Sequence, residues 1–277
     1  RKENIEEPYD NYILYEGDIC NVDFVKYIFK QEKPSLVIHL AAETHVDQSF
    51  GNSFRFTQTN IMGTHTLLEC MRHLGGVKLF VHMSTDEVYG SIDDDQICTE
   101  ESMFSPSNPY AATKAAADML VLAWARTFNL PYVIVRPTNN YGIGQYVEKL
   151  IPKSIKYLTV GRQIDLHDRG LPVRTWLHAK DTANAVITII NKGVQNEIYN
   201  ISGNLELQNI RVVEKIIALY NGDRDCAKYL KDMIRPGQDK RYSIDDTKLK
   251  KLGWEPTAEF DKELAEIVQY YKDTFVW

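Results

Sequence analysis

The chain has 277 residues, of which 44% are hydrophobic and 25% charged, a composition that excludes disorder and collagen-like structure and can bury a sizeable core. Its 32 Lys and Arg against 38 Asp and Glu give a net charge of −6. That balance argues against non-specific capture of nucleic acid or acidic membrane and leaves any anionic ligand to a local basic pocket. Four widely spaced cysteines, Cys20, Cys70, Cys98 and Cys226, with no CxxC, suggest neither a zinc ribbon nor a disulfide framework. The seven histidines show no metal-ligand spacing. No apolar run approaches the roughly 20 residues of a membrane span, and the opening RKENIEEPYDNY lacks a signal-peptide core. A cytoplasmic protein is expected.

Short β-branched runs alternate with segments of helical period. Tyr12 to Tyr15 reads as a first strand and Leu36 to Ala41 as a second. Between them NVDFVKYIFKQ places Val22, Val25, Ile28 and Phe29 on one helical face. A helix from about Asn52 to Leu74, a strand from Lys78 to Ser84, a helix from about Pro109 to Phe128 and a strand from Tyr132 to Arg136 follow. Nearly continuous apolar strands joined by crossover helices indicate an α/β fold with a doubly wound, Rossmann-like parallel sheet. Farther on, a helix is expected near Glu148 to Leu158, a strand over Val173 to His178, a helix over Ala179 to Asn191 and a strand over Glu197 to Ser202. Three more helices are expected at about Asn209 to Tyr220, Asp245 to Leu252 and Glu259 to Phe275. This half is expected to form a smaller α/β lobe over the carboxyl ends of the strands, where open α/β sheets bind ligands.

Tyr110 and Lys114 form a YxxxK pair whose spacing places both on one helical face. Alone, such a pair is commonly just a solvated face. Here the helix follows a strand ending in Ser84-Thr85-Asp86-Glu87, so the phenol would lie beside a hydroxyl and two carboxyls. An ammonium near the phenol would lower its pKa from about 10 and let Tyr110 act as a base. Asp86 and Glu87, in different surroundings, could divide acid and base roles, although a strand-end turn with a capping Asp is the commoner use of such residues.

The motifs GDI (17–19), HLAAETHVD (39–47), TNIMGT (59–64), STDEVYG (84–90), NPYAATKAAAD (108–118), NNYG (139–142), EKLIP (148–152) and RPGQDKRY (235–242), in that order, resemble the nucleotide-sugar 4,6-dehydratases of the extended short-chain dehydrogenase/reductase family. The resemblance implies an NAD-dependent lyase that acts on dTDP-glucose, with UDP-glucose as the alternative, and forms a 4-keto-6-deoxy sugar. It implies that Tyr110, with Lys114 and Thr85, takes the 4-hydroxyl proton while hydride passes to NAD, that Glu87 removes the C5 proton and that Asp86 protonates the departing C6 hydroxyl. It assigns Asp18, Ile19, Leu40, Ala41, Ala42, Thr59, Tyr110, Lys114 and Asn140 to the cofactor. It assigns Thr44, Thr85, Asn139, Glu148, Lys149, Leu150, Arg174, Asn209, Arg235 and Asp239 to the sugar nucleotide. Residues 1–145 would then form a partial NAD-binding domain carrying the catalytic groups, and 146–277 mainly the sugar-nucleotide lobe, with some segments returning to the core. A homodimer through the YxxxK helix and the helix before STDEVYG is implied as well.

The family's glycine-rich GxxGxxG loop is absent, since no glycine precedes Gly17. A first βαβ unit of roughly 40 to 60 residues is therefore expected to be missing, and with it the backbone cradle for a pyrophosphate. Thr44, Ile234 and Val147 also depart from the commonest family residues. Two other functions compete: an epimerase or decarboxylase of the same family, which the Asp86-Glu87 pair disfavours, and a non-catalytic ligand-binding fragment, which the absent loop favours.

Overall fold

A computed structural model describes residues 12–93, 95–222, 225–234, 237 and 239–274. Helix α1 (Val22–Glu32) begins at Asn21, whose side chain accepts the Phe24 N–H, and ends at Lys33 in the left-handed conformation with φ 45°. Strand β1 (Leu36–His39), helices α2 (Val46–Gly51) and α3 (Ser53–Phe56), a π-helical turn at Thr57–Met62 and helix α4 (Gly63–Leu74) follow. Then come β2 (Leu79–Met83), a 3-10 turn at Asp86–Tyr89, α5 (Pro109–Phe128) and β3 (Tyr132–Pro137). The second half contains β4 (Asn139–Tyr141), α6 (Leu150–Thr159), β5 (Ile164–His167), β6 (Val173–His178), α7 (Ala179–Lys192), β7 (Glu197–Ile201) and β8 (Leu205–Gln208). It closes with α8 (Asn209–Asn221), β9 (Leu230–Met233), α9 (Thr247–Lys250) and α10 (Phe260–Asp273).

Strands β1, β2, β3 and β7 form one parallel sheet in that order. One face packs against Val25 and Phe29 of α1, Leu67, Leu68 and Met71 of α4 and Val121 of α5, with Phe80 and Ile134 as the strand contribution. The other face sets Val81, Val133 and Val135 against Ala185, Val186 and Ile189 of α7, with Leu249 and Trp254 behind. Helices on both faces make the α/β sheet doubly wound, as its continuous apolar strands imply. Because His39 pairs with His82 and Met83 with Val135, the carboxyl ends of β1, β2 and β3 come out at one edge. Leu40, Ser84 to Glu87 and Thr138 to Asn140 therefore emerge side by side, which is the geometry that lets an open parallel sheet build a site.

A second layer covers this edge. The three strands β4, β6 and β8 form a small mixed sheet, and Trp176 and Tyr141 pack with Ile151 and Ile155 of α6, Val212 and Ile216 of α8 and Leu264 and Ile267 of α10. Strands β5 and β9 pair in parallel, with Ile164 and Leu166 against Val213 and Ile217 of α8.

Two sequence expectations fail. Tyr12 to Tyr15 is not a strand. Among the described residues no strand pairs with this segment, and Tyr15 turns instead onto α1, donating to Glu32 at 2.5 Å and packing edge-on to Tyr27. The expected helix from Asn52 to Leu74 is interrupted by the wider π turn at Thr57–Met62. There the Asn60 side chain leaves the helix to donate to the Glu43 carbonyl and to Thr113 on α5, the kind of lateral demand that π turns accommodate.

Candidate active site

A cavity of about 730 Å³ opens at the edge where the strands of the main sheet end, between that sheet and the second layer. This is the size of a site for a substantial ligand. Its two walls differ in chemistry. Ile38, Leu40, Met83, Pro137, Val186 and Ile187 make an apolar side; Thr85, Asp86, Glu87, Tyr110, Lys114 and Asn139 make a polar floor.

Local structure fixes the floor. Helix α5 starts with Pro109 in its first turn and Asn108 as its cap, whose Oδ1 accepts the Ala111 N–H at 2.9 Å. Tyr110 thus sits on the first turn, and Lys114 one turn later, both buried. The 3-10 turn after β2 is capped by Thr85, whose Oγ1 accepts the Glu87 N–H at 3.3 Å, and it ends at Gly90 with φ 77°. A Cβ at Gly90 would lie 2.1 Å from the Ser105 carbonyl oxygen, so only glycine fits that close approach. Thr85 also donates to Asp86 Oδ1 at 3.2 Å.

The two carboxyls sit in different surroundings. Asp86 is 2% exposed, and burial, then the charge of Glu87, push its pKa up to about 7. Glu87 is only partly buried, with Asn108 Nδ2 and the Tyr242 hydroxyl each 3.4 Å from its Oε2. Lys114 donates to the Met83 carbonyl at 2.5 Å; burial lowers its pKa to about 8, against the opposing charge of Asp118.

The phenol departs from expectation. Burial first, and then the Glu87 charge, raise the Tyr110 pKa rather than lower it, despite a hydrogen bond with Thr85. The physical reason is burial away from water, to which the charges of Glu87, Asp86 and Asp118 add, while the Lys114 side chain is engaged at the end of β2. In this arrangement Tyr110 is a phenol near neutral pH.

Most candidate residues meet at this cavity. Leu40, Ala42, Thr44, Thr85, Asp86, Glu87, Tyr110, Lys114, Asn139, Asn140, Glu148, Lys149, Leu150, Arg174, Asn209 and Asp239 all line it. Asp18, Ile19, Ala41 and Thr59 do not. The Asp18 carboxylate instead accepts the Cys20 N–H at 2.8 Å and closes its own turn. Ile19 packs so close to Gly63 that a Cβ there would lie 2.3 Å from its Cδ1. Arg235 lies outside the described residues.

The basic and polar wall is tied together by its own hydrogen bonds. Arg174 donates to the carbonyls of Val173 at 2.7 Å and Asp239 at 3.1 Å, and its guanidinium lies 4.5 Å from the Tyr242 ring. Asp239 accepts from Ser107 and Tyr242. Lys149 donates to the Thr44 carbonyl at 2.6 Å and Gln48 to Glu148 at 3.0 Å, so the loop after β1 is linked to the start of α6. Asn140 is used internally, accepting from Thr182 at 2.5 Å and donating to the Thr138 carbonyl at 3.0 Å. Asp86 Oδ2 and Asn139 Oδ1 are buried without a hydrogen-bond partner among the described residues. Sequence reasoning missed Asn108, Tyr242 and His167 in this lining. Asn108 and Tyr242 lay within motifs already quoted and carried a signal, whereas His167 reaches the cavity only through the unexpected strand β5.

Comparison with known proteins agrees with this geometry. The family model described as GDP-mannose 4,6 dehydratase matches residues 1–267. The chain is 43% identical over 269 residues to dTDP-glucose 4,6-dehydratase of Streptomyces niveus, covering 96% of this chain and 78% of that protein. It is 42% identical over 270 residues to the trifunctional UDP-glucose 4,6-dehydratase/UDP-4-keto-6-deoxy-D-glucose 3,5-epimerase/UDP-4-keto-L-rhamnose-reductase of Arabidopsis thaliana, covering 96% of this chain and spanning 40% of the length of that relative. The crystal structure of dTDP-glucose 4,6-dehydratase from Bacillus anthracis in complex with NAD has a TM-score of 0.87 and 38% identity, covering 97% of this chain and 82% of that one. With the sheet, the YxxxK helix and the Asp86-Glu87 turn in place, the chain belongs to the GDP-mannose 4,6-dehydratase family.

Proposed function

We propose that the protein is an NAD-assisted lyase that converts dTDP-glucose to dTDP-4-keto-6-deoxyglucose and water. One observation carries the reading: two adjacent carboxyls on the cavity floor have different environments, with Asp86 buried and titrating near 7 while Glu87 is partly open. Near neutral pH that arrangement offers a proton donor next to a base, the requirement of an elimination.

The cavity suits NAD on its own chemistry. The apolar side chains of Ile38, Leu40, Met83, Val186 and Ile187 suit a nicotinamide beside Tyr110 and Lys114, with Leu40, Ala41, Ala42, Thr59, Asn140, Asp18 and Ile19 proposed along the rest of the dinucleotide. NAD+, when bound, supplies the acceptor for the C4 hydride, the source of the hydride returned to C6, and a positive charge that favours the Tyr110 phenolate. Tyr110, in contact with Thr85 and steadied by Lys114, takes the proton of the 4-hydroxyl. Glu87 removes the C5 proton, made acidic by the new ketone, and Asp86 gives its proton to the departing C6 hydroxyl. C4 is oxidised and C6 reduced, so the reaction is redox-neutral overall. Residues 1–145 would hold the dinucleotide and the reacting groups, and 146–277 mainly the sugar nucleotide, with Thr44, Asn139, Glu148, Lys149, Leu150, Arg174, Asn209, Arg235 and Asp239 around it. Asn139 Oδ1, which can accept, and Asp86 Oδ2, which can donate its proton, have no partner among the described residues and fit a polyhydroxylated ligand.

A homodimer is part of this reading. Met62 is 43% and Met119 55% exposed, on the π turn leading into α4 and on α5; two copies of this face would cover them. A cytoplasmic location is part of this reading, in keeping with four cysteines that form no disulfide among the described residues. No described helix is long and apolar enough to cross a membrane. Incubation of the purified protein with NAD+ and dTDP-glucose or UDP-glucose, followed by the alkali-induced absorbance of a 4-keto-6-deoxy sugar, tests the reading. A product from dTDP-glucose in preference to UDP-glucose is expected; a product that retains its C6 hydroxyl would overturn it.

A further inference from the structure

Asn108 is 6% exposed and lines the cavity. Its Oδ1 accepts the Ala111 N–H at 2.9 Å and so caps α5. A backbone N–H needs an acceptor, which settles the orientation of the amide: its oxygen faces the helix and its nitrogen faces the other way. That nitrogen, Nδ2, donates to Glu87 Oε2 at 3.4 Å. One planar side chain thus joins the helix that carries Tyr110 and Lys114 to the carboxylate on the turn after β2.

The other contacts of Glu87 leave the orientation of its carboxylate to Asn108. Its N–H donates to Thr85 Oγ1 at 3.3 Å, which fixes the backbone of the turn but not the side chain. The Tyr242 hydroxyl also lies 3.4 Å from Oε2, yet it has a single proton and a closer acceptor in Asp239. Among the described residues no Lys, Arg or His forms an ion pair with Glu87.

We propose that Asn108 is a positioning residue for the elimination: with its oxygen fixed on α5, its amide nitrogen holds the Glu87 carboxylate in register with Tyr110. The chemistry needs such a joint. C4, whose hydroxyl gives its proton to Tyr110, and C5, whose proton goes to Glu87, are neighbouring atoms of one ring, so the two bases must keep a set separation for both steps to proceed from one bound pose. A length of 3.4 Å is at the long end for an N–H···O bond, as is common for catalytic contacts before substrate binds.

The inference rests on the dehydratase reading in taking Glu87 as the C5 base, and its test separates the two. Asn108→Ser and Asn108→Thr keep a capping oxygen for the Ala111 N–H and lose the arm that reaches Glu87; Asn108→Ser is expected to melt within about 2 °C of wild type. Protein with NAD+ is mixed with dTDP-glucose in a single turnover, and the absorbance of NADH is followed together with the product. Its rise reports oxidation at C4; its fall reports loss of the C5 proton and return of hydride to C6. In both variants the fall is expected to slow about tenfold while the rise stays within about twofold of wild type, so that NADH accumulates. The fall should slow further when C5 of the sugar carries deuterium. A fall as fast as in wild type overturns the proposal, and so does an equal slowing of rise and fall, the mark of a merely structural role at the start of α5. A wild type that forms no 4-keto-6-deoxy product sinks the dehydratase reading and this inference with it; a productive wild type with unaffected variants sinks the inference alone.

Discussion

The floor and the rim of the cavity are both polar, but they are polar in different ways. On the floor, Asp86, Tyr110 and Lys114 are at most 7% exposed, and burial is the largest influence on each of their pKa values. On the rim, Thr44 is exposed and Glu148, Lys149 and Asn209 are half-buried, with Gln48 donating to Glu148 and Lys149 to the Thr44 carbonyl. Low dielectric makes small displacements of charge on the floor energetically large, whereas solvent screens the rim. The floor is therefore suited to moving protons and the rim to orienting a ligand.

The sharpest way to break that contrast is to neutralise a floor group. Asp86→Asn keeps the shape and removes the proton, so kcat is expected to fall by about 10² to 10⁴-fold with KM little changed, measured by steady-state kinetics. The same variant has the opposite effect on stability. The folded-state pKa of Asp86, about 7, lies above its unfolded value of 3.8, so the native state holds the proton more tightly and loses stability as pH rises between those values. Asp86→Asn abolishes that loss. Its melting temperature should exceed wild type by a few degrees at pH 8 and match it near pH 3.5, by calorimetry; no difference at pH 8 would deny that the floor stores an unfavourable charge.

Arg174 lies between the two regions, 8% exposed yet bonded to backbone carbonyls. Arg174→Lys loses the planar fork, so KM for the sugar nucleotide is expected to rise about tenfold or more with a smaller change in kcat. On the rim, Lys149→Ala should raise KM only a few-fold, about 0.5 to 1 kcal/mol, and less at high salt. The smallest expected effect is that of the α5 cap on stability. Asn108→Ser keeps a capping oxygen on α5 and should cost only a few tenths of a kcal/mol, against about 1 kcal/mol for Asn108→Ala in denaturant melts.

How far the sequence shows this contrast depends on where each residue gets its environment. Pro109 to Phe128 is legible because capping, proline and glycine rules are local, and the buried strands because their apolar runs are continuous. Strands β4, β5, β8 and β9 are short and carry polar residues such as Asn139, Asp165, Glu206 and Lys231, so nothing in their composition separates them from loops. Tyr12 to Tyr15 has strand-forming residues without a ladder among the described residues, and propensity yields to the contacts available. At the site, the spacing of Tyr110 and Lys114 and the adjacency of Asp86 and Glu87 could be read directly. That Asp86 titrates near 7 and the phenol is raised could not, because burial and facing charges are set by elements distant in sequence. The buried pairing of Asp118 with Arg136, and its approach to His82, could not be read either, because only the sheet register brings those residues to it.

The most direct measurement of the central claim, that the cavity floor performs an internal oxidation and elimination, is isotopic. The purified protein is incubated in deuterium-free buffer with NAD+ and dTDP-glucose carrying deuterium at C4, and the product is examined by NMR. Deuterium in a C6 methyl group, with no net NADH formed, is the expected result. A product that retains the C6 hydroxyl, or a C6 methyl without the label, would contradict it.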